Sequence, residues 1–134
     1  MRARVRGMTL IEVLVAMTIF AFGILGMLGM QARAISELSD AKYRTDATLL
    51  ADALINAIWA DRANIASYAY GGTGTAPAKV QPWLGQVQAV LPQGKASVTV
   101  NGGNQVTVQV TWKALNAAAA TQHQHTEIAT VQSP

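Results

Sequence analysis

The sequence predicts an α+β chain in which one long amino-terminal helix, its first half long enough to span a membrane, packs on a small antiparallel β-sheet domain. Three observations predict it. An apolar run over residues 10–30 passes, with no Gly or Pro between Met30 and Asn64, into a polar stretch that keeps helical spacing. Two segments, 97–100 and 106–112, alternate valine with polar residues around Asn101-Gly102-Gly103-Asn104, the pattern of half-buried strands joined in a hairpin. Of the 134 residues, about 80 remain for a globular part, which buries a limited core and leans on the long helix for stability.

The leader MRARVR carries Arg2, Arg4 and Arg6 and precedes Gly7-Met8-Thr9-Leu10-Ile11-Glu12; through Met30, Glu12 is the single charge. The 21 residues from 10 to 30 make a helix of roughly 31 Å, at about 1.5 Å of rise per residue, which matches the hydrocarbon thickness of a bilayer. Arginines flanking such a segment stay cytoplasmic and set the rest of the chain on the far side. A cleaved secretory signal would have an apolar region of only about 7 to 15 residues before small residues of the Ala-x-Ala kind, and this run is longer and has no convincing end of that kind.

Glu12 is the residue that needs explaining. A carboxylate near the centre of a membrane helix costs roughly 2.5–3.5 kcal/mol. One reading places it at headgroup level in a simple signal anchor. Another gives it a partner: cutting the chain after Gly7 frees an α-ammonium on Met8, four residues before Glu12 and on the same helical face. The same amine on a neighbouring subunit would serve equally well. Further along, Gly23, Gly26 and Gly29 recur every third residue, each costing about 1 kcal/mol relative to alanine. They read either as a surface for close helix approach or as a segment able to unwind.

Beyond Met30, charges of both signs alternate through Arg33, Glu37, Asp40, Lys42, Arg44 and Asp46, as on a solvated face. Ala47, Leu50, Ala51, Leu54 and Ile58 form an apolar stripe at spacings of three and four. The helix is expected to end near Ser67, before a loop rich in glycine, 71–77, that matches no phosphate-binding spacing. Residues 82–91 read as a short helix, with Pro82 in its first turn and Pro92 closing it. Its core face would carry Trp83, Leu84, Val87, Val90 and Leu91.

In the hairpin, matching the apolar rows sets Val100 opposite Val106 and Val98 opposite Val108. A three-residue loop, Gly102 to Asn104, follows from that register. The valine row and Trp112 should lie near Leu50, Leu54 and Ile58. Residues 115–121 read as a loop, 128–131 as a third strand, and His123 and His125 as solvated residues of the tail. The domain organisation is then 1–7 leader, 8–30 apolar helix, 31–66 its continuation, and 67–134 the globular part with helix 82–91 and hairpin 97–112.

Composition narrows the function. Removing Arg2, Arg4 and Arg6 from the ten basic residues leaves seven against seven acidic ones, so no basic patch for direct nucleic-acid binding is expected. Cysteine is absent, which rules out a disulfide. His123 and His125 have only Glu127 nearby, too few ligands for a metal site. Asp40, Asp46, Asp52 and Asp61 lie along one helix at spacings that do not converge as a catalytic pair. No enzymatic activity, cofactor or metal is expected.

The Arg-rich leader, Gly7, an apolar Met8 and then Thr-Leu-Ile-Glu-Val-Leu-Val-Ala resemble the class III leader of type IV pilins and pseudopilins. The resemblance implies a prepilin peptidase that cleaves between Gly7 and Met8, N-methylation of Met8, and a role in assembly for Glu12. Most of that family has Phe where this chain has Met8, and many pilins carry a carboxy-terminal disulfide that this chain lacks. Residues 23–31, 41–47, 50–52 and 62–64, the tryptophan helix ending Leu91-Pro92-Gln93-Gly94, and the strand ending Val110-Thr111-Trp112 are similar to PilV-type minor pilins. The resemblance implies a pilin-like fold and a helix stretch near the glycines that melts in the filament. It also implies a single-pass inner-membrane protein with a cytoplasmic amino terminus and a periplasmic domain, later moved to the pilus. The implied partners are other minor and major pilins, the peptidase, the inner-membrane assembly platform, and lipid before assembly. The alternatives are a minor pseudopilin of a type II secretion system and an unprocessed membrane-anchored binding or sensor domain.

Overall fold

The computed structural model describes residues 8–113 and 121–132, and the chain divides after Leu38 into two compact units. Helix α1, Met8–Ala60, runs through both. In the first unit it is the only element among the described residues, and every residue from 9 to 35 is exposed. The helix is unbroken at Gly23, Gly26 and Gly29, so the stretch that the resemblance expects to melt is helical here. Thr18, Thr45 and Thr48 donate their hydroxyls to the carbonyls of Leu14, Ala41 and Arg44 (2.7, 3.1 and 3.0 Å), which satisfies polar side chains inside the helix. Lys42 and Asp46 pair one turn apart at 2.8 Å.

In the second unit α1 ends at Ala60, earlier than the expected end near Ser67. A 3-10 helix, Arg62–Tyr68, follows, with a non-helical residue at Asn64 (φ −119°, ψ 27°). Asp61 supplies the reason. Its carboxylate accepts from Asn64 Nδ2 at 2.6 Å, from the Tyr68 hydroxyl at 3.1 Å and from Lys79 Nζ, offering the chain bonds that a straight helix cannot make. The Lys79 hydrogen bond, and then that from Asn64, hold the Asp61 carboxyl below its ordinary pKa of 3.8. A depressed carboxyl contributes its stability fully above the ordinary value and loses it as pH falls through the native one. The difference in melting temperature between wild type and Asp61→Asn is therefore expected to shrink as melts are taken from neutral pH down to below about pH 3.

The core gathers Ala47, Ala51, Leu54, Ile55 and Ile58 of α1 with Val80, with Trp83 and Val87 of α2 (Gln81–Val90), with Leu91, and with the valines of a three-stranded sheet. The helix expected over 82–91 is thus present one residue earlier. Leu84 is half-buried, but Val90 is exposed rather than part of the core face. Trp83 Nε1 donates to the Leu50 carbonyl at 2.7 Å and ties α2 to α1. Gly94 is required after α2, because a Cβ there would sit 2.6 Å from the Val87 carbonyl oxygen.

Strands β1 (Lys95–Asn101) and β2 (Gln105–Lys113) pair antiparallel, with Val98 opposite Val108 and Val100 opposite Val106. This is the register and the three-residue loop that apolar matching predicts. Gly103 and Asn104 take positive φ in that loop. The third strand differs from expectation: β3 spans Gln122–Thr130, nine residues, and lies antiparallel beside β2 at one edge of the sheet. The sequence predicts a strand only over 128–131. The loop expected over 115–121 falls almost wholly outside the described residues.

Candidate functional site in the amino-terminal helix

Two features of the sequence converge on the start of α1: a lone acid and an apolar surface. Glu12 sits in the second turn, exposed. At 100° per residue its face is shared by Ile19, Gly23, Gly26 and Met30. Leu14, Met17, Thr18, Ala21, Phe22 and Leu25 line a shallow apolar groove on the opposite side. The helix therefore presents an acidic, glycine-bearing face and a bulky apolar one. Sequence reading took up Glu12 and the glycines separately and missed that they share a side, although the seven- and eleven-residue spacings from Glu12 to Ile19 and Gly23 carry that signal.

Of the expected site residues, Gly7 lies outside the described residues. Met8 is the first residue of α1, and a backbone amine there would be one helical turn from Glu12. The segment 9–60 is long and apolar enough in its first part to cross a membrane, with a mean hydropathy of 2.3 over its most apolar window and none of that window buried in protein. Large side chains left in this state, such as Phe20 at 71% and Leu10 at 72% exposure, need lipid or other helices around them.

Elsewhere, the glycine-rich loop has a structural use. Tyr70 and Val98 exchange backbone hydrogen bonds at 2.8 Å each way, and Gly72, at φ +85°, passes so close to β1 that a Cβ would lie 3.3 Å from the Ala96 carbonyl oxygen. The two histidines share one side of β3, as alternation requires, but they are not solvated tail residues. Both are half-buried; His123 stacks on Trp112 with ring centroids 5.8 Å apart, and His125 Nε2 stands 3.8 Å from Glu127 Oε2. Among the described residues no group of three or more His, Cys, Asp or Glu is arranged to hold a metal ion.

The prokaryotic N-terminal methylation motif matches residues 2–28. That stretch contains Gly7, Met8, Glu12 and most of the exposed apolar helix. No curated protein and no solved structure matches the chain. The motif supports a type IV pilin-like or pseudopilin precursor, and a leader of this type implies processing by a prepilin peptidase and assembly with other pilins. With the apolar helix, it is consistent with anchoring in the inner membrane.

Proposed function

We propose that this chain is a minor pilin of a type IV pilus, of the PilV type, that takes part in priming and assembling the filament and so supports adhesion, motility or DNA uptake. The observation that carries the reading is the methylation motif over residues 2–28, with every apolar side chain from 9 to 28 of the helix exposed. Cleavage between Gly7 and Met8 removes the three arginines of the leader and leaves a methylated amine at the head of α1. Before assembly the helix rests in lipid as a single pass, amino terminus in the cytoplasm and domain in the periplasm. On assembly it exchanges lipid for the helices of other minor and major pilins, and Glu12 exchanges an awkward place in the membrane for a charge partner. The role is structural, with no enzymatic step, cofactor or direct contact with nucleic acid.

Two experiments test this. Mass spectrometry of the membrane-extracted chain is expected to find a methylated Met8 as the first residue; an intact MRARVR terminus would instead indicate an unprocessed anchor. Deleting the gene is expected to reduce surface pili. Normal piliation with impaired exoprotein release would assign the chain to a type II secretion system.

A further inference from the structure

The two edges of the sheet, β1 and β3, are finished differently. On the β1 edge Tyr70 and Val98 exchange backbone hydrogen bonds. Val98 therefore turns its N–H and carbonyl away from β2, and its neighbours Ser97 and Thr99 turn theirs toward Gln109 and Thr107. Alternation then fixes the other side of β2: Val106, Val108, Val110 and Trp112 bond Ala129, Glu127, His125 and His123. Val131 is in step with these odd positions and donates its N–H to the Asn104 carbonyl at 2.9 Å, as that parity requires. The N–H and carbonyl groups of Gln122, Gln124, Thr126, Ile128 and Thr130 are left pointing out of the sheet, in a row spaced about 6.8 Å apart. Among the described residues no backbone group bonds to that row.

We propose that this row is a docking edge, to which an extended segment of a neighbouring pilin adds as a fourth strand, a proposal that rests on the pilin reading above. Evenly spaced donors and acceptors along one line are met by another extended backbone, which is how a strand adds to a sheet. Folded chains ordinarily guard such an edge with proline, lysine, a bulge or a very short strand. β3 is nine residues long, and QHQHTEIAT holds no Pro, Gly, Lys or Arg.

Its guard is Glu127, a charge on the same side of the sheet as Val108. That carboxylate selects the occupant. Its Oε2 is buried without a hydrogen-bond partner among the described residues, 3.8 Å from His125 Nε2. A Lys or Arg beside it on the incoming strand supplies the missing donor, whereas an apolar or acidic neighbour leaves the charge stranded. The partner is thus an extended segment that carries a basic residue at the position facing Glu127.

Amide hydrogen exchange, read residue by residue on the full chain in detergent micelles, is the first test. Corrected for intrinsic rates, Gln124, Thr126 and Ile128 are expected to exchange at least about tenfold faster than His123, His125 and Glu127. Equal protection along β3 would mean that the edge is already covered, by the chain itself or by a second copy, and overturns the proposal. Thr126→Pro and Gln124→Pro each remove one outward N–H and keep the ladder to β2, the place where a strand tolerates proline. A proline variant that melts like wild type is expected to fall by about tenfold in sheared filaments, and Glu127→Gln, which keeps the shape and loses the charge, by about threefold. Wild-type incorporation by either kind of variant overturns the docking edge. Methylation of Met8 and the loss of Glu12→Ala from filaments test the pilin reading separately, so the edge can fail while that reading stands.

Discussion

Glu12→Ala is expected to leave membrane insertion intact and to lower incorporation into filaments by about a hundredfold, the equilibrium equivalent of roughly 3 kcal/mol for stranding one partner of a buried ion pair. Insertion is spared because the substitution removes the one charge from residues 10–30 and makes the segment more apolar, a change in favour of the bilayer that is smaller, so near the end of the span, than the roughly 2.5–3.5 kcal/mol of a charge at its centre. Assembly suffers because the amine on Met8, or on a neighbouring subunit, then lies among apolar helices with no carboxylate to meet it. Membrane fractionation and the chain's abundance in sheared filaments read the two effects separately. Wild-type incorporation by this variant would refute the pairing. Glu12→Gln separates charge from shape: it keeps the side-chain length and still loses the ion pair, so it is expected to behave like the alanine variant.

The second large effect lies in the globular unit. Ile58, on α1, is fully buried, and Ile58→Ala is expected to cost about 2–5 kcal/mol, the lost transfer energy plus the cavity left behind. Against a total stability of about 5–15 kcal/mol for a domain, that is enough to lower its melting temperature strongly. Ile128→Ala is the matched control. Ile128 is 60% exposed on the outer side of β3, and its loss is expected to stay within about 0.5 kcal/mol. Thermal melts of both variants in the same detergent, followed by circular dichroism, make the comparison. Equal losses would mean that β3 is turned over relative to the register described.

That contrast marks where the sequence stops being legible. The hairpin could be read because valine alternates with polar residues on both strands, so a slip by one position would expose a whole apolar row. The long helix could be read because 53 residues from Met8 to Ala60 hold no proline and keep an apolar stripe through Ala47, Ala51, Leu54 and Ile58. β3 gave no such signal. QHQHTEIAT has no alternating apolar row, and the one large apolar side chain it offers, Ile128, faces outward. The early end of α1 was equally hidden, since what stops it is a carboxylate bound by Lys79, eighteen residues away in sequence. In the candidate site, Glu12 stood out because a charge in an apolar run is conspicuous, while the face it shares with Gly23 and Gly26 is carried by the helical period of their spacings and needs only the helix, not its tertiary contacts.

By itself the sequence determined the elements whose patterns are periodic: the membrane-length apolar helix with its one acid, the tryptophan-bearing short helix, and the register of the valine hairpin. Periodicity suffices there because burying a repeated apolar face outweighs the local alternatives. Tertiary structure decided the rest: where α1 stops and which side of β3 turns inward. These depend on pairings between polar groups far apart in the chain, whose energies arise only after the apolar layers have brought them together and excluded water.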